Sequence, residues 1–152
     1  MSQKNSIKER LQENMKEALR AGKKEQLGVI RFILAALKRQ EIDQQIELDE
    51  QQTLAILEKL AKQHHDSIDQ YGKAGRQDLA EKEQFELTVL QSYMPKPLSD
   101  QELDNLVQAA ITTTGAVSIR DMSKVMQYIK TQAQGRVDMQ VAGQKIKSVL
   151  NN

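Results

Sequence analysis

The chain has 152 residues, with 22 Lys and Arg against 21 Asp and Glu and a net charge of +1. That length suits one domain or two small ones, with roughly 68–70% of the unfolded surface buried on folding. It has no cysteine, which excludes disulfides, thiolate metal sites and a Cys nucleophile. No apolar run is long enough to span a membrane, and the start Met1-Ser2-Gln3-Lys4-Asn5 is polar, so a cytoplasmic protein without membrane attachment is expected.

Aromatics make up 3% of the residues and Trp is absent, so the core must be aliphatic, with six Met as gap fillers. Ala, Leu, Glu, Gln and Lys are abundant, and no strand alternation occurs, so the expected fold is all-α. Ser6 can cap a first helix whose stripe is Ile7, Leu11, Met15, Ala18 and Leu19, ending at Ala21-Gly22. A second helix starts near Lys23. Its apolar residues, Leu27 and Val29 through Leu37 with Arg31 as the interruption, cover most of its circumference, which predicts deep burial. Arg31 reads either as a surface residue on a narrow polar strip or as a functional arginine near the core.

Lys38-Arg39-Gln40-Glu41 returns the chain to solvent, and residues 44–47 read as loop. Asp49 caps a third helix with Leu54, Leu57, Leu60, Ala61, Ile68 and Tyr71 inward, which residues 72–75 break. A fourth helix spans about Gln77 to Tyr93, with Leu79, Phe85, Leu87, Val89 and Leu90 inward. Both prolines then fall in Tyr93-Met94-Pro95-Lys96-Pro97-Leu98-Ser99. Each lacks an N–H and disfavours helix in the residue before it, so the fourth helix must stop here. Ser99 and Glu102 form a capping box that starts another helix at once.

This break predicts an N-terminal four-helix lobe over residues 1–94 and a three-helix C-terminal lobe over 98–152; the alternative is a stiff turn inside one core. The fifth helix runs from Asp100 to Thr114, stopped by Gly115. Ser118 and Asp121 form another candidate capping box before a sixth helix bearing Met122, Val125, Met126 and Ile129. Asp138 caps a seventh, with Val141, Ala142, Ile146, Val149 and Leu150 inward.

Charge is blocked along the chain: +6 over residues 1–39, −9 over 40–117 and +4 over 118–152. Basic ends around an acidic middle can make a binding surface if they converge. The catalytic constellations sought do not occur. There is no P-loop, no Gly-x-Gly-x-x-Gly, no Gly-x-Ser-x-Gly and no Ser beside a His that could serve as base. Glu81, Glu83 and Glu86 read as a solvated acidic face. His64 and His65 read as helix-surface histidines, although His65 and Asp69 have the i, i+4 spacing of a metal pair. Neither cofactor nor metal is expected. Arg136, in the glycine turn Gln134-Gly135-Arg136-Val137 ahead of a helix start, can either hold phosphate or bond carbonyls.

Several motifs together resemble the GatB/YqeY family. They are Ala74-Gly75-Arg76-x-Asp78-Leu79, Lys82-Glu83-x-x-Glu86, and Leu90-x-x-Tyr93-Met94-Pro95-x-Pro97-Leu98-Ser99-x-x-Glu102-Leu103. Asp121-Met122-Ser123-Lys124-Val125-Met126, Gly135-Arg136-Val137-Asp138-Met139 and Leu27-Gly28-Val29-Ile30-Arg31 also fit. Two departures are Ser123, where glycine is common, and Met94, where Leu is common.

The resemblance implies a helical protein similar to the C-terminal tail of the GatB component of the bacterial aspartyl/glutamyl-tRNA amidotransferase, which helps hold tRNA while other domains catalyse. tRNA is then the expected partner, with amidotransferase or synthetase subunits beside it. The available cations of the C-terminal lobe are Arg120, Lys124, Lys130, Arg136, Lys145 and Lys147. Two other functions stay open. One is a protein-interaction adaptor; the other is a carbon–nitrogen ligase with glutamine as amido-N-donor, as the family resemblance also implies.

Overall fold

The computed structural model describes residues 6–151; the polar start Met1–Asn5 lies outside the described residues. Within them are seven α-helices, one 3-10 turn and no strand. The helices are α1 (Ile7–Ala21), α2 (Lys24–Gln44), α3 (Glu50–Lys73), α4 (Gln77–Gln91), α5 (Asp100–Thr114), α6 (Met122–Gln132) and α7 (Met139–Leu150), with the turn at Ile119–Asp121. The chain divides into two compact units, Met1–Met94 and Pro95–Asn152.

The helix ends follow local chemistry. Ser6, Asp49 and Ser99 each accept the N3 amide, while Glu9, Gln52 and Glu102 return the bond to the cap N–H. The Ser118–Asp121 box starts the 3-10 turn, from which α6 continues. Gly22 and Gly115 end α1 and α5 at φ +69°, a left-handed conformation that side chains resist. α2 runs on to Gln44, beyond the charged stretch expected to end it, and stops on Gln45, the one non-glycine residue of positive φ among the described residues.

In the first unit α3 packs along α4, α1 along α2, and α2 also meets α4. The core holds Leu11, Ile30, Ile33, Leu37, Leu57, Leu87 and Leu90. α2 is less enclosed than its composition predicts. Gly28, Arg31, Phe32, Ala35 and Arg39 are exposed and spaced i, i+3, i+4, i+7, i+11, so they form one outward face. Phe32 is 55% exposed, and Arg31 is a surface residue of that face. Phe85, expected inside, is 41% exposed. It stands two residues from Leu87, about 200° around the helix. Leu19, Val141 and Val149 also lie outward at their helix edges. In the second unit α5, α6 and α7 pack on one another around Leu103, Val107, Ala110, Val125, Ile129, Ala142 and Ile146.

The proline stretch is pinned at both ends. α4 ends at Gln91, two residues earlier than expected, and leaves Tyr93 free to turn inward. Tyr93 is 3% exposed. Its hydroxyl accepts from Asn14 Nδ2 at 2.8 Å, and the Arg10 guanidinium stands 5.2 Å from its ring centroid while donating to the Ser92 carbonyl at 3.0 Å. Within the second unit, Arg136 Nε donates to the Lys96 carbonyl at 2.9 Å, and the Leu98 N–H donates to the Arg136 carbonyl at 2.8 Å.

A further tie closes the α2–α3 loop. The Glu41 carboxylate accepts from Lys8 Nζ at 2.9 Å and from the Leu48 N–H at 3.0 Å. The Leu48 hydrogen bond, then the Lys8 bond, hold its carboxyl below the ordinary value of 4.5.

Both ties can be tested by denaturation. A carboxyl lowered by folding contributes stability above its unfolded pKa and loses it as pH falls through the folded one. Urea unfolding between about pH 5 and about pH 3, the range of carboxylate titration, should therefore show a smaller acid-side loss for Glu41→Gln than for wild type. Tyr93→Phe keeps the ring and deletes the hydroxyl, so it should destabilise the first unit by about 1 kcal/mol in the same measurement.

Candidate nucleic-acid interface

The second unit carries all six cations singled out in the sequence, and they divide into two groups. Arg136 is half-buried, and its Nε donates to the Lys96 carbonyl of the linker, which uses one of its five N–H donors. The N–H groups at the start of α7 beside it are also partly taken, since Asp138 Oδ1 accepts from the Gln140 amide. Lys145 donates to Asp104 at 2.7 Å and pairs with Asp100 at 3.0 Å, and these two contacts raise its pKa. Lys124 is exposed and only loosely paired with Asp121, at 3.8 Å. Arg120, Lys130 and Lys147 are exposed and make no ion pair among the described residues.

The carboxylates of this unit are all engaged. Asp100 and Asp104 hold Lys145. Glu102 accepts the Ser99 N–H, which lowers its pKa. Asp121 accepts the Val117 N–H, with the same effect. Asp138 caps α7. Over residues 95–152 seven Lys and Arg stand against five Asp and Glu, a net charge of +2. Lys96, which the sequence marks only as linker, belongs with the unpaired cations: its side chain is exposed and makes no ion pair among the described residues. Its carbonyl, not its charge, is what Arg136 holds.

One open groove of about 410 Å³ lies in this unit, lined by Met122, Ser123, Met126, Gln127, Lys130 and Met139. Three of its lining residues are methionines, flexible and apolar, and Lys130 is the one charged residue among them. Gly143 lets α7 come close to α6 beneath it, since a Cβ there would meet Met122 Cε at 3.4 Å.

The first unit holds a cluster whose members the sequence places in solvent. His64, on α3, has Nδ1 2.9 Å from Glu83 Oε1 and 4.0 Å from Glu86 Oε1, both on α4. All three side chains are half-buried, whereas Glu81 and His65 are exposed. Burial, then the neighbouring Glu83 charge, pushes the Glu86 carboxyl above its ordinary value. The solvated-face and surface-histidine expectations thus hold for Glu81 and His65 and fail for the other three. The cause is the α3–α4 hairpin: helix pairing turns one side of each toward the other. In the turn itself, Arg76 forks onto Asp78 through two bonds of 3.2 Å, which lowers the Asp78 pKa.

Among the described residues no helix is long and apolar enough to cross a membrane. Comparison with known proteins adds three relatives, each called "Altered inheritance of mitochondria protein 41, mitochondrial". The one from Pyrenophora tritici-repentis is 31% identical over 155 residues, covering 96% of this chain and 82% of its own. The one from Vanderwaltozyma polyspora is 36% identical, covering 76% of this chain and 66% of its own. The one from Eremothecium gossypii is 39% identical, covering 55% of this chain and 46% of its own. The chain thus spans between about half and four fifths of the length of these relatives.

These names overturn the cytoplasmic expectation, since the compartment they state is the mitochondrion. A polar start and the lack of a membrane span carry no address for a compartment, which is why that inference failed. The model of the family described as Yqey-like protein matches residues 8–150, and this chain belongs to that family.

Proposed function

We propose that the chain is an RNA-binding helical module, with folded tRNA as its ligand, serving an amidotransferase or synthetase partner that performs the chemistry. In this proposal the four helices up to Met94 and the three after Pro97 are separate lobes, and the second presents the RNA face. The observation that carries it is the charge balance of the second unit. Its five side-chain carboxylates each hold a hydrogen bond or an ion pair, while Lys96, Arg120, Lys130 and Lys147 make no ion pair among the described residues. The methionine-lined groove that includes Lys130 offers an apolar seat for one base beside a phosphate contact. Family membership supports the reading through the similarity to the amidotransferase tail. The relatives' names suggest the mitochondrion as the place of work.

Catalysis is assigned to the partner because the sequence has no cysteine, no Gly-x-Ser-x-Gly and no P-loop. A glutamine-dependent ligase activity of the chain alone is the opposing outcome. The adaptor reading has one observation in its favour: Phe32 and Phe85 expose apolar surface on the first unit.

The experiment is a salt titration of tRNA binding to the full chain. About four phosphate contacts predict roughly a hundredfold loss of affinity between about 50 and 200 mM salt. Replacing Lys130 and Lys147 together by Ala should flatten the slope by about two units. No binding at low salt, or an unchanged slope in the double variant, transfers the assignment to the adaptor. Glutaminase turnover by the purified chain would overturn the non-catalytic part.

A further inference from the structure

The Lys82-Glu83-x-x-Glu86 motif has no part in the RNA reading, and it sits in the other unit. Glu83 and Glu86 are one turn apart on α4, so both carboxylates leave the helix on the same side. They meet His64 across the α3–α4 hairpin, and one donor atom from each residue lies within 4.8 Å of the others. We propose that His64, Glu83 and Glu86 form a binding site for a divalent transition-metal ion of the zinc class.

Three features favour a metal over a plain ion pair. The first is charge. Two carboxylates face one imidazole, and Lys82 acts on Glu86 only through its field. A divalent ion carries the charge that balances both carboxylates. The second is environment. The side chains are 12%, 20% and 26% exposed, on helices that give Leu60, Leu87 and Leu90 to the core. That is dry enough to strengthen the attraction and open enough for an ion to enter. The third is donor chemistry. One imidazole nitrogen and two carboxylates, all from two packed helices, make a three-ligand set with a position left for water. The imidazole selects against magnesium and calcium, and the absence of sulfur selects against copper(I).

The ligand atoms must close slightly to reach a common ion. From His64 Nδ1, Glu86 Oε1 is the farther carboxylate at 4.0 Å, and rotation about the Glu86 side chain spans that gap. The His64–Glu83 contact at 2.9 Å already turns Nδ1 toward the carboxylates, and an ion taken up there replaces the proton between Nδ1 and Glu83 Oε1, which is released to solvent.

The test is titration of the full chain with zinc alone, near neutral pH, by calorimetry and by thermal unfolding. Wild type should bind one equivalent and unfold at a higher temperature with zinc than without. His64→Ala and Glu86→Gln should each weaken binding by at least about tenfold and abolish the thermal response. His65→Ala alters the exposed neighbour and should behave as wild type. If His64→Ala does not fold, Glu86→Gln, which keeps side-chain size, decides alone. Absence of zinc binding by wild type overturns the site, as does binding that survives Glu86→Gln or disappears in His65→Ala. The RNA salt titration involves none of these residues, so either proposal can fail alone.

Discussion

Two amide hydrogens are missing at Pro95 and Pro97, and the structure on either side is organised around that loss. The helix before them has to stop, and the chain that follows has no ladder to join. Both units respond by supplying side-chain partners. The first takes Tyr93 into its core and satisfies its hydroxyl with Asn14. The second reaches out with Arg136 to the carbonyl of Lys96 and offers its own carbonyl to Leu98. A loop without such partners would leave polar backbone groups to water alone; here the path of the loop is fixed by residues distant in sequence.

The fold is legible where the chemistry is local. Ser6, Asp49, Ser99 and Asp138 each announce a helix start because a short polar side chain bonds its own backbone a few residues on. Gly22 and Gly115 announce stops for the converse reason, their lack of Cβ. The end of α2 is not legible because nothing local marks it. Its last turn is tied by Glu41 to Lys8 and Leu48, contacts that exist only once α1 and the loop are in place. Burial is harder to read than helicity. α2 is apolar over most of its circumference, yet the first unit has neighbours for only part of that surface.

The candidate sites show the same limit. Counting cations gives six candidates, but a count does not reveal which are already engaged. Lys145 has two aspartates on α5 and Arg136 has a carbonyl, and these partners are far away in sequence. The His64 cluster is hidden for a related reason, although its arithmetic is simple. His64 and Glu86 stand at equal distances in sequence on either side of Gly75. In two helices folded back at that glycine, such residues come level with each other. Hairpin symmetry about a turn is thus a usable signal in an all-helical sequence, where periodicity alone compares residues of the same helix.

The anchoring of Tyr93 also has a mechanical side. A pull on the chain at Pro95 is not delivered first to the last turn of α4, which could unwind one bond at a time. It passes through a ring wedged in the core and an Asn14 bond to α1, the element at the other end of the same unit. Arg10 adds a second link from α1 to the same place through the Ser92 carbonyl. Load entering from the proline stretch therefore reaches the first helix of that unit as well as the last.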